Sequence, residues 1–273
     1  MLKDITIGQF FPGKSFIHKM DPRMKIILMF GLIVFVFMAG NAISMGVVLL
    51  STVLILLITR VPFKLYFKGL KAIWMIIILT SLLNMFYIKG TVIFEWKFIS
   101  ITWEGVRQSI FITLRIVCMI LISSVLTYTS SPTALTDAIE RLLAPFKLVG
   151  LKVHELAMMM TIALRFIPTL IEEVEKIMNA QKARGADMDS GRLTERIKAM
   201  IPVFIPLFVS SIRRAVELAA AMECRCYTGG KGRTRMKVLR YKFRDFFAFT
   251  VIAALCAGIL YINFRFPEWK MTV

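Results

Sequence analysis

Acidic residues are scarce in this chain: 17 Asp and Glu stand against 35 Lys and Arg over 273 residues, a formal net charge of +18. Histidine is scarcer still, with two, and there are four cysteines. Each shortage excludes something. Cys118 and Cys256 lie in apolar runs while Cys224 and Cys226 sit two apart in a basic segment, so no disulfide framework is expected and the thiols read as reduced. Cys224-x-Cys226 supplies two metal ligands at most, and His18 and His154 are remote from it in sequence, so no metal or cofactor is expected. Catalysis requires a nucleophile with a base or a pair of carboxylates, and the long apolar runs contain no acid and no histidine. The same absence argues against a proton- or ion-coupled pump acting alone, and a membrane-embedded hydrolase is disfavoured with it.

What is abundant is hydrophobic: 58% of the residues, with a mean hydropathy of +0.72. The charges alternate with long uncharged runs instead of spreading evenly, which is the pattern of an integral membrane protein and not of a soluble core. A basic chain could also bind nucleic acid, but the position of the charges points to the lipid bilayer as the partner and to no nucleic acid. Nothing at the N-terminus resembles a cleaved signal, so the chain is expected to start at Met1.

Ile26 to Thr59 carries no charge, and one helix of that length would overshoot a hydrocarbon core of roughly 30 Å. Gly40-Asn41 is the turn signal within the run, which predicts a tight helical hairpin. Further spans fit Ala72 to Ile88, Gln108 to Tyr128 and Phe246 to Phe264, giving five and an all-α polytopic fold. Arg115 falls inside the fourth span and is not expected to face lipid. It makes either a polar contact to another helix or subunit, or a snorkelling or local carbonyl contact.

Lys and Arg set the orientation. With the N-terminus inside, the inner segments hold Lys3, Lys14, Lys19, Arg23 and Lys25, then Arg60, Lys64, Lys68 and Lys71, then twenty basic residues between Thr129 and Arg244. The outer segments hold Lys89, Lys97, Arg107, Arg265 and Lys270. The expected topology is N-in and C-out, with residues 1–128 forming four spans, 129–230 a cytoplasmic module, and 231–273 a basic linker and the last span.

The cytoplasmic module has its own architecture. Ser131-Pro132 looks like an N-cap followed by proline at the first helical position, opening a short helix through Leu143. From Val153, the residues Leu156, Met160, Ala163, Ile167, Leu170, Val174 and Ile177 step by four and three down one long amphipathic helix ending near Arg184-Gly185. A second carries Ile197, Met200, Phe204, Phe208, Ile212 and Val216 on one face, with Arg213, Arg214 and Glu217 among the polar positions, and ends near Tyr227. Phe166-Ile167-Pro168 and Phe204-Ile205-Pro206 suggest a loose repeat, although proline and terminal arginine are 16 apart in the first and 19 in the second. Each helix is expected to kink or start near its proline.

Gly8-Gln9-Phe10-Phe11-Pro12-Gly13-Lys14-Ser15 matches the P-loop pattern literally. Pro12 lacks an N–H, two phenylalanines crowd the loop, and no strand-helix alternation surrounds it, so nucleotide binding is not expected. The two helix ends remain. Ala183-Arg184-Gly185 and Cys224-Arg225-Cys226 each set an arginine between small residues at a helix C-terminus. Such a guanidinium could enter a partner's groove and pair with a carboxylate in bidentate fashion. The plainer alternative is complementation of the helix dipole, worth about 0.3–1 kcal/mol, and the motif alone favours it.

Three blocks carry a family resemblance. The first is Gly8-Gln9 with Pro12-Gly13 and His18-x-x-Asp21-Pro22-Arg23-x-Lys25; the second is Thr129-Ser130-Ser131-Pro132-x-x-Leu135-Thr136-Asp137-Ala138. The third runs from His154-Glu155-Leu156-Ala157 through Ala163-Leu164-Arg165-Phe166-Ile167-Pro168 to Ala183-Arg184-Gly185-Ala186-Asp187. In these the chain resembles the transmembrane coupling (T) components, the CbiQ/EcfT family, of energy-coupling factor transporters, over nearly its whole length. The resemblance implies that Arg184 and Arg225 each dock in one of two cytoplasmic ABC ATPase subunits, with Cys224 and Cys226 standing where Ala and Gly are common. It further implies that the apolar helix faces meet a small membrane-embedded, substrate-binding S component, and that this chain binds neither nucleotide nor vitamin. The 18 methionines suit a surface that re-packs against several partners, and plain core packing explains them as well. The competing readings are a T component dedicated to cobalt or nickel, a self-sufficient permease, and a membrane enzyme for which no set of side chains can be nominated.

Overall fold

The computed structural model describes residues 10–88, 91–96, 99–186, 193–229 and 239–265. Lys3, Gly8, Gln9, Lys89, Lys97, Asp187, Lys270 and the basic residues from Lys231 to Lys237, which the sequence reading used, lie outside them. The regular structure among the described residues is helical apart from one short hairpin, and they fall in two compact units, one holding residues 8–138 and 238–273 and the other 139–237.

The first unit is a five-helix bundle. Its helices are α1 (Pro22–Met38), α2 (Ala42–Thr59), α3 (Phe63–Tyr87), α4 (Trp103–Thr129) and α8 (Phe243–Arg265). The Gly40-Asn41 break therefore does split the long apolar run into a hairpin. Phe35, Val36, Val48, Cys118 and Ile259, from four helices, meet in a core from which solvent is excluded. The third span is longer than expected, because α3 starts at Phe63 and carries Lys64, Lys68 and Lys71 in its first turns.

Ala42–Thr59, Phe63–Tyr87, Trp103–Thr129, Thr194–Cys224 and Phe243–Arg265 are long and apolar enough to cross a bilayer. The set differs from the expected five. The hairpin's first helix, α1, has 17 residues, while the long second amphipathic helix qualifies with a mean hydropathy of 1.5 against 2.5 for α2.

A hairpin of strands β1 (Val92–Trp96) and β2 (Ile99–Thr102), paired antiparallel with Trp96 opposite Ile99, joins α3 to α4. It was not expected from the sequence. Thr102 closes it by donating its hydroxyl to Ile88 O at 2.7 Å and accepting from Gly105 N at 3.1 Å as the N-cap of α4. A Cβ at Gly105 would lie 2.7 Å from Met85 O, so only glycine allows α4 to start this close to α3.

Charged and polar side chains tie the bundle's ends. Arg115 Nη2 donates to Ala39 O at 2.6 Å, and Asn263 Nδ2 donates to Met38 O at 2.6 Å. Both cap carbonyls left open where α1 ends. Of the readings open for Arg115, the contact to another helix is the one found. At the other end Asp21 caps α1 by accepting from Arg23 N at 2.9 Å and pairs with the Arg23 guanidinium at 2.9 Å. Asp21 N in turn donates to Asp245 Oδ1 at 2.9 Å, and the Arg23 guanidinium lies 4.0 Å over the ring of Tyr241. Lys25 Nζ donates to Thr129 O at 2.8 Å and His18 O at 3.2 Å.

The described part of the P-loop-like string, residues 10–15, is irregular chain that leads into a turn at 16–19. His18 Nε2 faces Phe11 O at 3.0 Å, which can only accept, so Nε2 carries the proton and Nδ1 accepts from Ser15 Oγ at 2.6 Å. A Cβ at Gly13 would meet the imidazole at 2.7 Å.

The second unit contains the last turn of α5 (Pro132–Leu142), a 3-10 turn at Ala144–Val149, and the long helices α6 (Val153–Ala183) and α7 (Leu193–Cys224). Ser131 Oγ accepts from Ala134 N at 3.3 Å, the N-cap expected for α5. His154 Nδ1 lies 3.0 Å from Glu140 Oε1 and links the start of α6 to α5. Both long helices run through their prolines, Pro168 in α6 and Pro202 and Pro206 in α7, and neither starts there.

Candidate functional site: two arginine-tipped helix ends

The ends of α6 and α7 are built alike, atom for atom in the backbone. At the first, Gly185 N donates to Lys182 O at 3.0 Å and Ala186 N to Gln181 O at 3.0 Å. At the second, Cys226 N donates to Glu223 O at 2.8 Å and Tyr227 N to Met222 O at 3.0 Å. This pair of crossed bonds is the Schellman motif, which ends a helix by turning one residue left-handed and so satisfies the last carbonyls. In α6 the left-handed residue is Gly185 with φ 87°, and in α7 it is Cys226 with φ 52°. Ala183 and Cys224 are the last helical residues, and Arg184 and Arg225 each occupy the cap between helix and left-handed turn.

Three consequences follow from that backbone. Both arginines are exposed, and so are the small residues on either side of them. Each guanidinium sits at the negative end of a helix dipole, which favours a cation there. The residue after each arginine turns the chain away, so an arginine at the cap projects from a blunt helix end instead of lying along a continuing chain. All six residues singled out from the sequence, Ala183, Arg184, Gly185, Cys224, Arg225 and Cys226, thus fall on two equivalent structural positions. The repeat is set by these caps and not by the prolines, which explains why the proline-to-arginine distances disagreed. The signal for the left-handed position was Gly185 alone; Cys226 is a residue type that seldom adopts it.

The apolar stripe that periodicity assigned to α7 is exposed, and so is the α6 stripe up to Ile167, whereas Leu170, Val174 and Ile177 are half-buried. Phe204 is 58% and Phe208 67% accessible, and Leu156, Met160, Ile197, Ile212 and Val216 are exposed as well. A contiguous apolar face of this kind on helices with a polar opposite side marks an interaction surface.

These observations define a class, a helical polytopic membrane protein carrying a pair of arginine-tipped helices. The family model described as "Cobalt transport protein" (CbiQ) matches residues 13–237. The chain is 49% identical over 266 residues to the energy-coupling factor transporter transmembrane protein EcfT of Ruminiclostridium cellulolyticum, covering 97% of this chain and 100% of the relative. It is 50% identical to that of Clostridium kluyveri over 262 residues, 95% of each chain, and 44% identical to that of Bacillus subtilis over 264 residues, 96% and 100% of the two chains. The chain belongs to the CbiQ/EcfT family of transmembrane components of energy-coupling factor transporters. Its role is that of a transporter's membrane component and not of an enzyme.

Proposed function

We propose that this chain couples ATP hydrolysis by two cytoplasmic ABC ATPase subunits to the movement of a membrane-embedded S component that carries a vitamin. Arg184 and Arg225 each dock in a groove of one ATPase, and the exposed apolar faces of α6 and α7 hold the S component. When ATP closes the ATPases, the helix ends move with them, the long helices pivot, and the S component reorients and releases its substrate inside. The N-terminus lies in the cytoplasm and the C-terminus outside; residues 1–128 and 231–273 span the membrane, while 129–230 form the cytoplasmic module.

The single observation that carries this reading is the equivalence of the two caps: two separate helices use one backbone device to present one exposed arginine each. Dipole complementation accounts for a cation near a helix end, but it places no demand on the small flanking residues or on the identical cap position. The test is affinity purification of the chain from native membranes in mild detergent, beside the Arg184→Ala, Arg225→Ala double variant. ABC ATPases and small hydrophobic binding proteins are expected with the native chain, and the ATPases are expected to be lost from the variant. A native chain that emerges alone refutes the reading. The description of the family model favours a second substrate class, cobalt or nickel. Retained S components that bind radioactive cobalt or nickel, and no vitamin, would decide for it.

A further inference from the structure

Glu173, half-buried at the border of the apolar stripe of α6, receives two side chains from α7: Ser210 Oγ donates to its Oε1, and the Arg214 guanidinium pairs with its Oε2. A long, exposed contact from Gln181 Nε2 to Pro202 O at 3.4 Å lies eight residues beyond Glu173 along α6, against the proline-bearing segment of α7. Residue numbers rise along α6 as they fall along α7, so the two helices cross in antiparallel sense. Glu173 lies eleven residues before Arg184, and Arg214 lies eleven residues before Arg225. At about 1.5 Å per residue, the clasp is therefore about 16 Å along the helix from either arginine, and the two arms point in opposite directions.

The composition of the arms differs from that of the segments behind the clasp. Residues 174–183 and 215–224 contain no proline and no glycine, and both stretches are helical throughout. Pro168 in α6, and Pro202 and Pro206 in α7, all precede the clasp on their own helix. Proline removes a helical hydrogen bond and is where a helix bends, so the segments behind the clasp carry the weak points and the arms carry none of this kind. Apolar contacts between helices tolerate sliding, whereas a carboxylate held by a guanidinium and a hydroxyl fixes the register of the crossing.

We propose that Glu173, held by Ser210 and Arg214, is the fulcrum of the two coupling helices: it fixes the point about which two equal, stiff arms swing. Glu173 is a positioning residue, and this role rests on the coupling function proposed above. Without the clasp the arms slide, the ATPases still dock on Arg184 and Arg225 and still turn over, and their motion is not passed on.

The experiment uses the full complex with its ATPases and S component, reconstituted in liposomes. It compares Glu173→Gln, Arg214→Gln, and the exchange Glu173→Arg with Arg214→Glu. Each single variant is expected to retain the ATPases and their hydrolysis while substrate imported per ATP falls about tenfold, the size of a typical coupling energy between sites. The exchange is expected to recover most of the loss, which a role in packing alone would not produce. Unchanged import per ATP in Glu173→Gln, an exchange no better than the single variants, or loss of the ATPases from Glu173→Gln would each overturn the proposal. The Arg184→Ala, Arg225→Ala variant runs in parallel: if it too keeps ATPases and import, the coupling reading has failed, and not the fulcrum alone.

Discussion

The five-helix bundle and the long-helix unit both expose large apolar side chains, but they place their charged groups differently. In the bundle, ionic and amide side chains are spent inside the chain: Asp21, Arg23, Lys25 and Asp245 are buried and bonded to one another or to backbone, and Arg115 and Asn263 cap the carbonyls at the end of α1. In the long-helix unit, phenylalanines on α7 face outward and the terminal arginines are exposed. A buried, satisfied polar group gains nothing from a partner, whereas an exposed apolar face or a free cation at a blunt helix end does. The difference teaches where partners are to be sought.

Four substitutions or conditions would break or sharpen this contrast. The largest effect is expected on the open side, where Phe204→Asp with Phe208→Asp should abolish retention of hydrophobic binding proteins and leave the ATPases attached, as read by mass spectrometry of the purified complex. Loss of both classes of partner would mean that the face serves folding instead of docking.

On the closed side, Asp21→Ala strands the buried Arg23 guanidinium and removes the cap of α1. Breaking a buried pair by deleting one partner costs about 3–5 kcal/mol, so the variant should lose most of its yield of monodisperse protein in detergent. A normal yield and melting temperature would show that the Asp21, Arg23 and Asp245 cluster is dispensable.

A smaller effect is expected at the second cap. Cys226 holds a left-handed backbone at a cost of about 1 kcal/mol that glycine would not bear, so Cys226→Gly should raise thermal stability slightly and preserve ATPase retention. The reciprocal change, Gly185→Cys, should lower stability by a similar amount. Equal melting curves would contradict the left-handed assignment at that position.

The smallest concerns His18, whose pKa is pushed below its ordinary 6.5 chiefly by burial, with the Lys25 charge acting in the same direction and the bond to Phe11 O opposing both. The unfolded chain therefore binds the proton more readily. The contribution of His18 is fully present above about pH 6.5 and is lost as pH falls through its depressed folded value. A His18→Asn variant should flatten the acid limb of a melting-temperature profile, and an unchanged limb would assign the acid sensitivity elsewhere.

How far the molecule was legible in its sequence differs between the same two regions. The bundle was readable because charge is excluded from hydrocarbon, so gaps between Lys and Arg outline α1, α2 and α8 to within a few residues, and α4 from Gln108 on despite Arg115 within it. α3 was misplaced at its start because Lys64, Lys68 and Lys71 sit on helical turns while their charge reads as a loop. The β1–β2 hairpin was missed because its short strands are flanked by basic residues that had been read as an external segment. Asp245 could not have been foreseen, since its partner Asp21 is 224 residues away.

Of the site, the six cap residues were legible through small neighbours around a terminal arginine. The left-handed Cys226 and the Glu173–Arg214 clasp were not. In the sequence Arg214 stands only as one of several polar positions on its helix. The available signal is a pair of opposite charges spaced equally from the two terminal arginines, a symmetry that the prolines do not share.

The central claim is that Arg184 and Arg225 transmit work. Its most direct test is ATP-driven uptake by the reconstituted complex carrying Arg184→Ala with Arg225→Ala. The account predicts that import collapses to the level seen without ATP while substrate binding to the S component persists. Uptake at the native rate in that variant would contradict it.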